Sequence, residues 1–282
     1  VVIQTPTFNV FYNSILNHGR HVLENPLKYN GSLYSIDFED LELKLAKENT
    51  SLMILCNPQN PSGNIWSKDD LKQIGDLCEK YHVVVLSDEI HCDLCDPGFE
   101  YIPFASVSNN CLNNSVICIS ASKTFNLAGL QSSAVVIANP HLRAIMDRGL
   151  NSNEVAEPNV FATLSTTSAF TKGEDYLEAL RVYLFENKKF IYSFIKENCP
   201  KLKAIESHAT YLVWIDISSL NIHSDDFVDF MRKQTGLILS SGSHYGGNGS
   251  SFVRMNSATS LDRVKDGLSR FKIAYDKLDV IV

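Results

Sequence analysis

Three short apolar runs, residues 51–56, 83–87 and 116–120, each end in a polar cluster, and amphipathic stretches separate them. The clusters read Asn-Pro-Gln-Asn-Pro-Ser-Gly at 57–63, Ser-Asp-Glu-Ile-His at 87–91 and Ser-Ala-Ser-Lys at 120–123. A continuous β-branched run such as Val83, Val84 and Val85 reads as a parallel strand buried on both faces. Strands of this kind alternating with helical periodicity predict an α/β fold with a mainly parallel sheet covered by helices. In an open α/β sheet, ligands bind at the carboxyl ends of the strands. Three polar clusters at such ends, the last closing on a lysine, point to a cofactor site with a Schiff-base lysine.

The rest of the chain fits this frame. Ser67 followed by Asp70 resembles a capping box, and Leu71, Ile74, Leu77 and Cys78 fall at helical spacing. Helices are also expected over 37–47 and 141–150, and a further strand over 133–138. The last third changes character. A long amphipathic helix over 176–196 precedes strands at 211–217 and 252–256 and helices at 224–234 and 261–278. This predicts a large domain over 1–173 and a smaller α+β domain over 174–282, about the number of domains that 282 residues suggest.

Bulk chemistry excludes several functions. A net charge of −7 argues against a nucleic-acid surface, which needs clustered Lys and Arg. The longest apolar runs are far too short to cross a membrane. The seven cysteines are an odd number and no secretory signal is read at the start of the sequence, so a cytoplasmic protein with reduced thiols is expected. Cys92 and Cys95 form a single C-x-x-C without the second pair a zinc site requires, and no metal is expected there.

Each candidate site residue has a functional and an ordinary reading. Lys123 is either a nucleophilic amine withdrawn from water or a loop lysine. Asp88 either faces a protonated ring nitrogen or is a helix cap or a loop carboxylate, while Glu89 beside it points away and serves structure. His91 is a hydrogen-bond donor to a cofactor or a satisfied structural histidine. Asn60, held between Pro58 and Pro61, is a stiffly aimed amide or part of a turn. Ser120 and Ser122 offer hydroxyls for a phosphate or simply belong to a loop. Arg254, in an otherwise apolar strand, clamps a carboxylate with its planar fork or sits in an internal ion pair.

Taken in order, Asn60-Pro-Ser-Gly, Asp88, Ser120-x-x-Lys123 and Arg254 resemble the fold-type-I pyridoxal-phosphate enzymes of the aminotransferase class I/II superfamily. Ser-Asp-Glu-Ile-His and Ser-Lys-Thr-Phe-Asn are most similar to the cystathionine β-lyase and cysteine-desulfhydrase group of C–S lyases. The resemblance covers essentially the whole chain and implies a seven-stranded type of sheet. It implies that Lys123 holds pyridoxal 5'-phosphate, Asp88 faces the pyridine nitrogen and Asn60 the ring hydroxyl. His91 stands where many aminotransferases carry a tyrosine, and Phe8 would stack on the ring. Ser120 and Ser122 would touch the phosphate, and Arg254 would bind the substrate α-carboxylate. The implied activity is β-elimination from cystathionine- or cysteine-type substrates in a homodimer, with transamination as the alternative served by the same residues.

Three positions depart from the family pattern. Gln131 replaces a phosphate-binding arginine common in aminotransferases, as in several C–S lyases. Ser257-Ala258-Thr259 replaces a small-Cys-Pro turn. Val1-Val2-Ile3 reads as a core strand already in progress, so the family's N-terminal stretch, with its phosphate loop, is expected to be missing. A chain without that stretch could instead be a non-catalytic remnant.

Overall fold

The computed structural model describes residues 1–279. In chain order the first elements are β1 (Val2–Thr5), α1 (Val10–Asn17), β2 (Leu23–Pro26), β3 (Lys28–Tyr29), β4 (Tyr34–Ser35), α2 (Phe38–Leu45), β5 (Leu52–Cys56), α3 (Lys68–Lys80) and β6 (Val84–Asp88). Then come α4 (Asn109–Asn113), β7 (Ser115–Ile119), α5 (Ala121–Thr124), β8 (Ala134–Val136), α6 (Pro140–Ser152) and α7 (Val160–Lys172). The chain continues through α8 (Glu174–Asn198), β9 (Lys203–Ile205), β10 (Leu212–Asp216), α9 (Ser224–Thr235), β11 (Ser240–Ser241), β12 (Phe252–Asn256) and α10 (Leu261–Asp279).

The large sheet runs β2-β1-β5-β6-β7-β8. Its neighbours are parallel from β2 to β7, and only β8 is antiparallel. The sheet thus shows six strands among the described residues, where the resemblance implied a seven-stranded type. Apolar side chains of β1, β5, β6 and β7 pack against α2 and α3, with Leu41, Leu71, Ile74 and Phe104 fully buried. The expected capping box is present: Ser67 Oγ accepts from Asp70 N, and the Asp70 carboxylate accepts from Ser67 N. It satisfies donors that a helix N-terminus otherwise leaves unpaired. The register then aligns the site. Cys56, Asp88 and Cys118 lie in one row across three strands, so the loops after β5, β6 and β7 leave from the same edge.

The second sheet, β11-β12-β10-β9, is antiparallel and packs on α8, α9 and α10. A network of buried polar groups ties α8 and the segment between β9 and β10 to the loop after β6. Lys188 Nζ on α8 lies 2.8 Å from the Asp96 carboxylate, with the side chains 0% and 5% exposed. The same ammonium donates to Ser207 Oγ and to the Ser207 and Thr210 carbonyls. Burial pushes Asp96 up and Lys188 down, and each charge partly offsets the shift of the other. Gly63 also meets this segment. Its φ is +71°, and a Cβ there would stand 2.4 Å from Ser207 Cβ, so the loop after β5 docks only as glycine.

Removing one member of such a pair strands the other charge. Lys188→Met is expected to cost about 3–5 kcal/mol of folding stability, by urea unfolding. Lys188→Met combined with Asp96→Leu should recover most of it, because no charge is then left buried. A loss under ~1 kcal/mol for the single variant would assign the pair the small value of a surface ion pair.

Candidate active site

Asp88 closes β6 and begins no helix, which removes the cap reading. Its Oδ1 accepts only a local turn bond from Ile90 N at 3.2 Å. Burial pushes its carboxyl up to about 6; the Ile90 N–H and the Lys123 ammonium pull the other way. Glu89 turns into the core, where it accepts from Ser87 Oγ at 2.9 Å and Phe104 N at 3.0 Å. His91 is 4% exposed, its ring meets Tyr211 edge-on at 5.6 Å, and its Nδ1 has no partner among the described residues. Burial first, then the charges of Lys123 and Arg254, holds it down near about 3, so it is a neutral imidazole. The satisfied-histidine reading does not describe it.

Lys123 lies on the single-turn helix α5, half-buried, with no ion pair or hydrogen bond to a described residue. Its charge acts on both Asp88 and His91. Ser120 caps α5: its hydroxyl accepts from Ser122 N at 3.1 Å and donates to the Ser132 carbonyl at 2.6 Å. That leaves Ser122 with the freer hydroxyl of the two.

Arg254 sits mid-strand in β12 beside Trp214 of β10. No carboxylate among the described residues is within ion-pair reach, so the internal ion-pair reading fails. Nη1 donates to Asn60 Oδ1 at 3.1 Å, the guanidinium lies 5.0 Å from the Tyr245 ring centroid, and Nε is buried without a partner. A buried Nε–H without an acceptor is costly, and with no carboxylate beside it the part-buried guanidinium is free to take an anion. Asn60 itself is 6% exposed, and both Asn57–Pro58 and Asn60–Pro61 are cis. Phe8 follows β1 at the same sheet edge. Its ring packs edge-on against Phe11, and Thr7 N beside it donates to the Tyr245 carbonyl.

Asp88, His91, Lys123, Asn60 and Arg254 therefore come together; Ser120 and Ser122 flank Lys123, and Phe8 joins through the Tyr245 loop. A cavity of about 360 Å³ opens beside Lys123, walled by Ser122, Asn126, Leu180, Tyr183 and Tyr211 among others. Sequence reasoning missed Tyr211, Tyr245 and the α8 wall. The signal was the spacing of Tyr176, Leu180, Tyr183 and Leu184 on one helical face. Cys92 and Cys95 stand apart, with Cys95 Sγ donating to the Cys92 carbonyl, and the described residues contain no group of three or more His, Cys, Asp or Glu able to hold a metal.

The raised Asp88 carboxyl makes a pH prediction. Its folded value lies above the ordinary 3.8, so the folded state bears no penalty below that value. The penalty grows as pH rises from 3.8 to about 6 and is complete above that. In the cofactor-free protein, Asp88→Asn is therefore expected to gain about 2 kcal/mol relative to the parent between pH 4 and pH 7. Urea unfolding across that range checks it; a stability difference that does not change with pH would contradict it.

The model of the family "Aminotransferase class I and II" matches residues 1–271. The chain is 41% identical to cystathionine beta-lyase PatB of Bacillus subtilis (strain 168) over 97% of its own length and 71% of that protein. It is 32% identical to protein MalY of Escherichia coli (strain K12), covering 95% of this chain and 68% of that one. Among solved structures, cystalysin from Treponema denticola, which contains a pyridoxal 5'-phosphate cofactor, superposes with a TM-score of 0.92 at 30% identity, covering 98% of this chain and 70% of that one.

Proposed function

The chain belongs to the aminotransferase class I and II family, and we propose that it is a pyridoxal-phosphate-dependent C–S β-lyase. Its substrates are cystathionine- or cysteine-type amino acids, and with one water the products are a thiol or sulfide, pyruvate and ammonia. The observation that carries this reading is the pairing of similarity to C–S lyases with a cluster of polar groups left unsatisfied. Among the described residues, Lys123 without an ion pair, Arg254 Nε and His91 Nδ1 without partners, and a carboxyl at Asp88 gather where β12 faces the carboxyl edge of the large sheet. These groups fit an aromatic aldehyde that bears a basic ring nitrogen and a ring hydroxyl.

When bound, pyridoxal phosphate supplies an electron sink for the electrons of a breaking Cα–H bond. Lys123 Nζ would hold it, and as a free amine would take the Cα proton. Asp88 keeps a proton at the ring nitrogen. The Asn60 amide and the neutral His91 would orient the ring, Phe8 would cover a face, and Ser122 would hold phosphate; Ser120, expected to share that contact, instead spends its hydroxyl proton on the Ser132 carbonyl and positions Ser122 by capping α5. Arg254 grips the substrate α-carboxylate and so directs the Cα–H bond toward Lys123. The sulfur leaves from Cβ as a thiolate. The test is stoichiometry. With no keto acid added, cystathionine should yield one pyruvate and one ammonia per thiol; turnover that requires a keto acid would make the protein a transaminase.

The same reading includes a division into a cofactor-binding part, 1–173, and a smaller part, 174–282. The seven cysteines, all free thiols, support a cytoplasmic setting. No helix among the described residues is long and apolar enough to cross a membrane. A homodimer is also part of the proposal. On α7, Val160, Phe161 and Leu164 are 82%, 67% and 70% exposed, an apolar face that a second copy would cover. Light scattering at micromolar concentration should find a dimer, and Phe161→Glu with Leu164→Glu should make it a monomer. A monomeric parent protein would contradict the proposal.

A further inference from the structure

The wall of the cavity beside Lys123 has its own chemistry. Tyr176, Leu180, Tyr183 and Leu184 recur at i, i+4, i+7 and i+8 along α8, which places them on one face of the helix. Leu184 is buried, while Tyr176 and Tyr183 are 50% and 46% exposed. Both rings are held by contacts outside the cavity. The Tyr183 hydroxyl accepts from Leu261 N at 2.9 Å, and the Tyr176 ring stacks on Phe125 with centroids 6.1 Å apart. Gly173 permits that second contact, because a Cβ there would lie 2.4 Å from the Phe125 ring. Tyr211 completes the wall on the His91 side.

The cavity's charge is as informative as its shape. Among the described residues, Lys123 is the only charged one lining it, and no described carboxylate lines it. Arg254 lies two residues before Asn256, which does line it, so both project to the same face of β12. The cation suited to an α-carboxylate is therefore at the cavity's edge, and beyond it only neutral amides, hydroxyls and apolar surface remain. An ionised group at the far end of a substrate would give up water for neutral dipoles, whereas an apolar group would gain by burial.

We propose that this wall receives the group carried on the substrate's sulfur and prefers an uncharged, apolar substituent to an ionised one, so that cystathionine, whose far end is zwitterionic, is a weaker substrate than a cysteine bearing an apolar group on sulfur. The proposal rests on the C–S lyase reading, and its test keeps the two apart. The probes are L-2-amino-5-phenylpentanoate and L-2-aminoadipate, which replace the sulfur of an S-benzyl and an S-carboxymethyl cysteine by carbon and so cannot lose a thiol. Both are titrated by calorimetry into the pyridoxal-phosphate-loaded protein. The phenyl compound is expected to bind more tightly by on the order of tenfold or more. Leu180→Arg should erase or reverse that preference, and the milder Tyr176→Ala should reduce it. Equal affinities, tighter binding of aminoadipate, or a preference unchanged in both variants would overturn the proposal. Pyruvate release from S-benzyl-L-cysteine reads the chemistry separately. Selective binding without pyruvate upholds the pocket and removes the lyase reading, while pyruvate without selectivity upholds the lyase and overturns the pocket.

Discussion

Lys123→Ala is expected to lower kcat at least ~10³-fold, because the substitution removes the amine proposed as both the covalent anchor and the base for the Cα proton. No neighbour can substitute. Among the groups facing Lys123, His91 is held as a buried neutral imidazole, and Asp88 is the carboxyl proposed to face the ring nitrogen. The fold should tolerate the change, since the lysine makes no ion pair or hydrogen bond with a described residue. Urea unfolding should therefore leave the variant within about 0.5 kcal/mol of the parent, as for a side chain away from packing and pairing. Turnover within tenfold of the parent would assign the chemistry to another amine.

Arg254→Lys is the second large effect. Arginine can hold a carboxylate by two parallel hydrogen bonds, and lysine offers a point charge on a flexible stem. The substitution also removes the Nη1 bond to Asn60 and the guanidinium contact with the Tyr245 ring. Loss of the fork should weaken amino-acid binding by about 2–3 kcal/mol, the value of a hydrogen bond to a charged group or somewhat more. Titration with a cysteine analogue and its decarboxylated amine separates recognition from support of the fold. The amino acid should lose affinity and the amine should not; equal losses would show that Arg254 serves structure.

What was legible in the sequence follows from how local each signal is. The runs that became β5, β6 and β7 are short and mostly apolar, with β-branched residues concentrated in β6 and β7, so their strand character could be read from local sequence. Asp88, His91 and Lys123 follow from where those strands stop. Arg254 was readable as the one charge in an apolar strand, but its bond to Asn60 joins residues far apart in the chain and could not be read. The antiparallel direction of β8 depends on its neighbour β7 and was equally hidden. α7 went unread because Ser and Thr interrupt its apolar positions and it buries only Ala162. The long helix α8 was expected, yet several of its faces are apolar. Ile191 and Ile195 pack into the smaller core while Leu180 and Tyr183 wall the cavity, and only the packing tells which is which.

The central claim is that the amine at the end of β7 carries the cofactor. Borohydride reduction of the pyridoxal-phosphate-loaded protein, followed by peptide mapping, tests it in one step. The account predicts a single stoichiometric label on Lys123, in the peptide that contains Ser120 and Ser122. A label on any other lysine, or none after incubation with the cofactor, would contradict it.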